Sequence, residues 1–240
     1  MKKYILFWLL LIAVSLYADI HSAAGTYGYK FLNIPVHPVS VALGGRGVHN
    51  TANNLAWLSQ PAVSCIELGK SAGAAQVNWI GDTSLSSAYY SNSNRSNHIG
   101  FAFRNLNYGE IEKRDDTGFL IGNYNPVDIS VMGNYSSRLG AAFYLGINLG
   151  VMYQKLDTAS SLGVNSDIGV SILPTIEESK VSLSLRNFGS ATKTKDQSEL
   201  LPYSFELDFF KAFDVMNQKL GIEVSGIKSA DSDLRMVLGA

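Results

Sequence analysis

The chain has 240 residues, 46% of them hydrophobic and only 16% charged, against the roughly 25% charged residues of ordinary soluble domains. Its formal net charge is −1, which leaves no basic field for nucleic acid. The single cysteine, Cys65, excludes an intramolecular disulfide framework and reads as a small buried apolar residue.

The chain opens as a secretory signal. Lys2 and Lys3 form a basic start, residues 5–14 an apolar core, and Ser15, Leu16, Tyr17 and Ala18 a cleavage end. The apolar run is short for a spanning helix. Removing residues 1–18 leaves 17 basic and 20 acidic side chains, a net charge of −3.

Residues 19–70 contain Pro35, Pro38 and Pro61, glycines at 44, 45 and 47, and Asn50, Asn53 and Asn54. Such punctuation is too dense for long strands. The expectation is an irregular plug packed against or inside the strands, with a short helix over 39–43 or 52–58.

From about Ser71 the pattern changes to period two. The clearest stretch is 141–156, where Phe143, Leu145, Ile147, Leu149, Val151 and Tyr153 share one face. The other face carries Tyr144, Gly146, Asn148, Gly150, Met152 and Gln154. Similar segments are predicted at 72–80, 84–92, 97–108, 126–137, 163–173, 180–190, 202–213, 217–227 and 233–239, about ten strands in all. In-strand charges such as Arg104, Arg186, Glu206 and Asp208 fall on the small or polar face. A lipid-facing charge near a bilayer midplane would cost ~2–4 kcal/mol, whereas a wet interior tolerates it. Pro126, Pro174 and Pro202 fall at strand boundaries, where no ladder donor is lost. The predicted fold class is therefore all-β, a transmembrane antiparallel β-barrel over 71–240, since open strands would leave backbone groups unsatisfied in lipid. Connections at 109–125 and 191–201 read as long outward loops, 138–140 and 214–216 as short turns and 157–162 as a loop of medium length. The N-terminal segment is expected on the short-turn, periplasmic side.

The chemical motifs are weak. The Gly44, Gly45, Arg46, Gly47 run lacks the Lys-Ser/Thr of a phosphate-binding loop and reads as tight backbone passage in the plug. His21, His37, His49 and His98 have no metal-ligand spacing. Asp115, Asp116, Thr117 and Gly118 read as a turn, and Asp231 with Asp233 lacks the full calcium-loop pattern. No cofactor, metal site or catalytic group is expected.

The sequence resembles the PorV/PorQ family of outer-membrane proteins. The resemblance is carried by GTYGYKFLNIPVHPVSVALGG at 25–45, LNYGEIEKRDDTG at 106–118 and NPVDISVMGNYSSRLG at 125–140. It continues through INLGVMYQKL, SDIGV at 166–170, LRNFGS at 185–190 and ELLP at 199–202. It covers nearly the whole mature chain in order, and its tone is closest to PorQ. It implies a barrel similar to FadL-type transporters, with Ala42, Leu43, Gly44, Gly45, Pro61 and Ala62 structuring the plug. It implies outer-membrane localisation in a Gram-negative-type bacterium, contact with lipid, and a non-enzymatic role in type IX-like secretion or surface attachment of exported proteins. Cargo or other secretion components would meet outward loops carrying Lys113, Arg114, Asp115, Asp116, Lys193 and Lys195. An alternative expectation is FadL-like passage of a hydrophobic small molecule, and a third is a secreted adhesive β-sandwich. Two features depart from the family: Gln60 replaces the usual asparagine before Pro61, and Val63-Ser64 the usual Gly-Leu. The resemblance also expects further strands after residue 240 and so reads the sequence as C-terminally truncated.

Overall fold

The computed structural model describes residues 21–66, 68–94, 96–174, 178–192, 199–216 and 218–240. The expected signal segment, residues 1–18, lies outside them.

Among the described residues twelve strands form: β1 (Gly69–Asn78), β2 (Ser84–Ser93), β3 (Asn97–Asn107), β4 (Ile111–Arg114), β5 (Leu120–Tyr124), β6 (Val127–Arg138), β7 (Phe143–Leu156), β8 (Ala159–Ile172), β9 (Ser179–Ala191), β10 (Ser204–Val215), β11 (Gln218–Ser229) and β12 (Arg235–Gly239). Ten of them make one antiparallel sheet in the order β1-β2-β3-β6-β7-β8-β9-β10-β11-β12. Every neighbour in it is also a sequence neighbour except across the β4–β5 hairpin, which forms a separate two-stranded sheet. The ten alternating segments of the sequence correspond to these ten strands. β1 and β12 are the sheet's edges, each paired on one side among the described residues.

Alternation sets the two faces. Along β7 the outward residues Phe143 to Tyr153 are exposed and the inward residues Tyr144 to Gln154 buried, without a break. β3 exposes Ile99, Phe101 and Phe103 while burying Gly100, Ala102 and Arg104. On β10, Phe205, Leu207 and Phe209 are exposed, and Ser204, Glu206 and Asp208 are buried. The sheet therefore turns its apolar face outward and its polar face inward, the inverse of a water-soluble fold.

Residues 21–66 fill the inner face. They run through 3-10 turns at Lys30–Asn33, Ala56–Leu58 and Val63–Ile66 and one short helix, α1 (Pro38–Ala42). Proline at its first turn removes a donor that would be orphaned there, and the His37 side chain accepts from Val39 N. The expected helix at 39–43 is thus present, shifted by one residue, and the 52–58 alternative is only a 3-10 turn. Trp57, Phe31, Leu32, Leu55 and Leu58 pack on the inward Leu85, Ala102, Leu106, Met132 and Met152 to make the apolar core.

Two expectations about the connections need correcting. The 157–162 loop is a two-residue turn, because Leu156 pairs with Ala159 and Asp157 takes φ 53°. The N-terminal segment is not gathered at the short-turn end. It begins at the long-loop end, where Gly28 N donates to Leu200 O and Tyr27 bridges to Leu200. It then runs the height of the sheet, so that Ser64 O accepts from Ser93 beside the start of β1.

Candidate functional site

The densest chemistry lies where the N-terminal segment meets the inner face of β9, β10 and β11. It begins with the end of α1. Gly45 N donates to Ser40 O at 2.7 Å and Gly44 N to Val41 O at 3.3 Å, with Gly44 at φ 68° and Gly45 at φ 90°. This is a Schellman termination, which needs a residue free to enter left-handed space. It turns the chain so that Arg46 points at the sheet. The glycine run supplies both left-handed residues of this termination, and its arginine carries the charge.

Arg46 is buried between two carboxylates. Its Nε donates to Asp208 Oδ1 at 3.0 Å, and its Nη1 pairs with Glu206 at 2.5 Å. Glu206 also takes Arg186 Nη1 at 3.1 Å and Ser204 Oγ at 2.9 Å. Burial disfavours the Arg46 charge, but Glu206 and Asp208 outweigh it and hold the guanidinium above the ordinary arginine value. Next in the chain, the Glu223 carboxylate accepts three consecutive amides, Gly47 N at 2.9 Å, Val48 N at 3.1 Å and His49 N at 3.0 Å. His49 Nε2 meets Ser182 Oγ at 2.8 Å. Burial first, then the nearby Lys180 and Arg46 cations, push the His49 pKa down to about 3, so the ring is neutral at physiological pH.

A second set of contacts holds the later part of the segment. Asn148 donates to Trp57 O at 2.9 Å and to Asp167 at 2.8 Å, and Asn134 donates to Pro61 O at 3.2 Å and to Asn148 at 2.6 Å. Asp167 stands opposite a bulge in β9, where two residues, Arg186 and Asn187, face one. Asn187 takes φ 53° and gives its N–H to Asp167 Oδ1 at 2.7 Å. The bulge buries both Arg186 and Asn187 on the inner side, a re-aiming typical of such irregularities.

The residues expected to structure the plug divide in two. Pro61 and Ala62 are buried against Gly146 and Gly169, which have no side chain to obstruct them. Ala42 and Gly44 are exposed at the end of α1, with Leu43 against Gly239 and Gly44 beside Val237. Gln60, expected to weaken the anchoring role of the usual asparagine, is fully buried. Its Oε1 accepts from Ala62 N at 3.1 Å and its Nε2 reaches Val170 O at 3.4 Å. The longer side chain fits because residue 169 is glycine.

The expected partner loops are placed in part. Lys113 and Arg114 end β4, the first paired with Asp157 at 2.5 Å and the second with Glu112. Asp115 closes the hairpin turn, accepting from Thr117 N and Phe119 N at 2.9 Å each, while Asp116 is exposed. Lys193 and Lys195 lie outside the described residues, as does the side chain of Cys65. The hairpin also exposes Phe119, Leu120 and Ile121, a ridge that the sequence reading passed over. Asp167 and Glu223 were passed over too, and Arg46 was read only as part of the glycine run. The available signal was a charged residue on the inward face of a strand or inside a glycine run.

Compared with known proteins, the chain matches no family model and no curated protein.

Proposed function

We propose that this chain is an outer-membrane β-barrel protein resembling the PorV/PorQ family, working as a non-enzymatic platform in secretion or surface attachment of exported proteins. The observation that carries the reading is the inverted polarity of the ten-stranded sheet. A continuous outward row of Phe, Leu, Ile, Val and Tyr stays exposed, while Ser, Asn, Asp, Glu and Arg are buried inside. In water such an outer face would aggregate. In lipid it is the stable arrangement, provided the β1 and β12 edges are paired so that no backbone group faces hydrocarbon. The fourteen residues of β7 exceed what is needed to cross an apolar band ~25 Å tall, even when tilted by ~45°.

In this reading the N-terminal segment is a plug pinned by the Arg46 and Glu223 contacts, and the β4–β5 hairpin presents its apolar ridge to exported cargo. The space beside the plug is rich in charge, which favours a platform over FadL-like passage of hydrophobic solutes. Fractionation followed by gel mobility with and without boiling tests the barrel. Outer-membrane recovery with a heat-dependent shift is expected, and recovery as a soluble protein with no shift overturns the proposal. Deleting residues 109–125 should keep the shift and weaken cargo capture; unchanged secretion counts against the platform role.

A further inference from the structure

We infer that the cavity between the N-terminal segment and the inner face of β3 and β9–β12 is a binding site for a small oxyanion, a carboxylate or phosphate group, gripped by Arg104 and Arg186. The cavity measures about 380 Å³, within the ~300–1,000 Å³ common for small-molecule sites. Five lysine and arginine side chains line it against two carboxylates, Glu206 and Asp231. Both carboxylates are already engaged, Glu206 by Arg46 and Arg186, and Asp231 by Lys30.

Arg104 is the unexplained group. It projects inward from β3, is 3% exposed, and lines the cavity. Among the described residues its guanidinium makes one hydrogen bond, Nη1 to Leu32 O at 3.1 Å, and its Nε has no partner. One face is covered by the Phe31 ring, 5.8 Å from its centre. Arg186, on β9, gives Nη1 to Glu206, and its Nε is unpartnered as well. The two guanidiniums bring like charge to the same cavity. Asp167 is buried on the same inner face, but its oxygens accept from Asn148 and the Asn187 N–H, and it makes no hydrogen bond to either arginine.

Burying a guanidinium with most of its donors unused is strongly unfavourable unless a counter-charge completes it. The rigid fork of arginine matches a carboxylate or phosphate through two parallel bonds. Leu32, Val36, Leu55 and Ile227 on the same walls would cover a short apolar body behind the anionic head. The inference stands apart from the membrane reading, since it rests on the interior alone.

Calorimetric titration of the purified full chain with sodium phosphate, and separately with sodium succinate, at ionic strength held constant with chloride, tests it. Saturable one-site binding of at least one anion is expected, weakened tenfold or more by Arg104→Gln and by Arg186→Gln. Tighter phosphate assigns a phosphate-bearing ligand, and tighter succinate a carboxylate. Arg104→Lys keeps the charge and loses the fork, and serves if the glutamine variants do not fold; it should weaken binding severalfold. No saturable binding of either anion to the unmodified chain, or unchanged affinity in a folded Arg104 variant, overturns the inference.

Discussion

Arg46 and Asp208 lie 162 residues apart in sequence and meet as a buried pair, Nε to Oδ1 at 3.0 Å, with Glu206 closing the other side of the guanidinium. Removing the cation leaves Asp208 without its counter-charge on the inner face, while Glu206 keeps Arg186. Breaking one member of a buried ion pair typically costs ~3–5 kcal/mol. Arg46→Ala should lower the urea midpoint of unfolding by an amount of that order, and Glu223→Ala, which orphans three amides, should make residues 47–53 open to protease. An Arg46→Ala midpoint equal to that of the unmodified chain would show the pair to be dispensable.

The glycines of the inner face separate contact from composition. A side chain at Gly146 would collide with the Pro61 carbonyl, and one at Gly169 with Gln60 and Pro61. Gly133 faces the other way, and a methyl there would meet Phe101 at 3.7 Å, an ordinary contact. Gly146→Val and Gly169→Val should therefore loosen the segment and raise hydrogen exchange at residues 56–62, while Gly133→Ala should change stability by less than ~1 kcal/mol. Equal behaviour of the three variants would contradict the packing described.

The outer face offers a direct comparison of solvents. Leu149 and Val151 are 61% and 52% exposed at the middle of β7. If lipid covers them, Leu149→Arg or Val151→Arg should cost ~2–4 kcal/mol in bilayer refolding experiments. In water the same exposed substitutions would shift stability by only ~0.5 kcal/mol. Refolding into vesicles with no change in midpoint would argue that β7 does not meet lipid.

His49 supplies a pH dependence of defined sign. Its folded-state pKa, about 3, lies below the ordinary 6.5. Between those values the unfolded chain binds a proton that the folded chain refuses, so stability rises with pH through this window. The contribution is complete above pH 6.5 and is lost as pH falls toward 3, with a slope of at most about 1.4 kcal/mol per pH unit. His49→Gln, which retains a group able to bond Ser182, should flatten part of that loss in unfolding titrations from pH 7 to 4. A slope unaltered by the variant would assign the acid sensitivity to other groups.

The ten strands of the large sheet, and the direction of the faces of β3, β7, β9 and β10, were legible because side chains alternate with period two wherever one face differs from the other. Ile99, Phe101 and Phe103 against Gly100, Ala102 and Arg104 state the pattern in six residues. The β4–β5 hairpin was not legible for the complementary reason. Its strands are exposed on both sides except at a few residues, so no burial contrast is written into them. The turn at Asp157 was hidden similarly, because Ala159 to Leu162 carry too little apolar contrast to extend β8 back to Leu156.

The sequence by itself determined the all-β class, the outward apolar face and the segregation of charge to the inner one, since these follow from local alternation and composition. Only the tertiary structure decided which charges meet. Arg46 finds Asp208, Glu223 finds three amides of the segment, Gln60 finds the space left by Gly169, and Arg104 is left without a carboxylate of its own. Each of these depends on the register of strands far apart in the chain, and pairing across such separations leaves no periodic trace in the residues that take part.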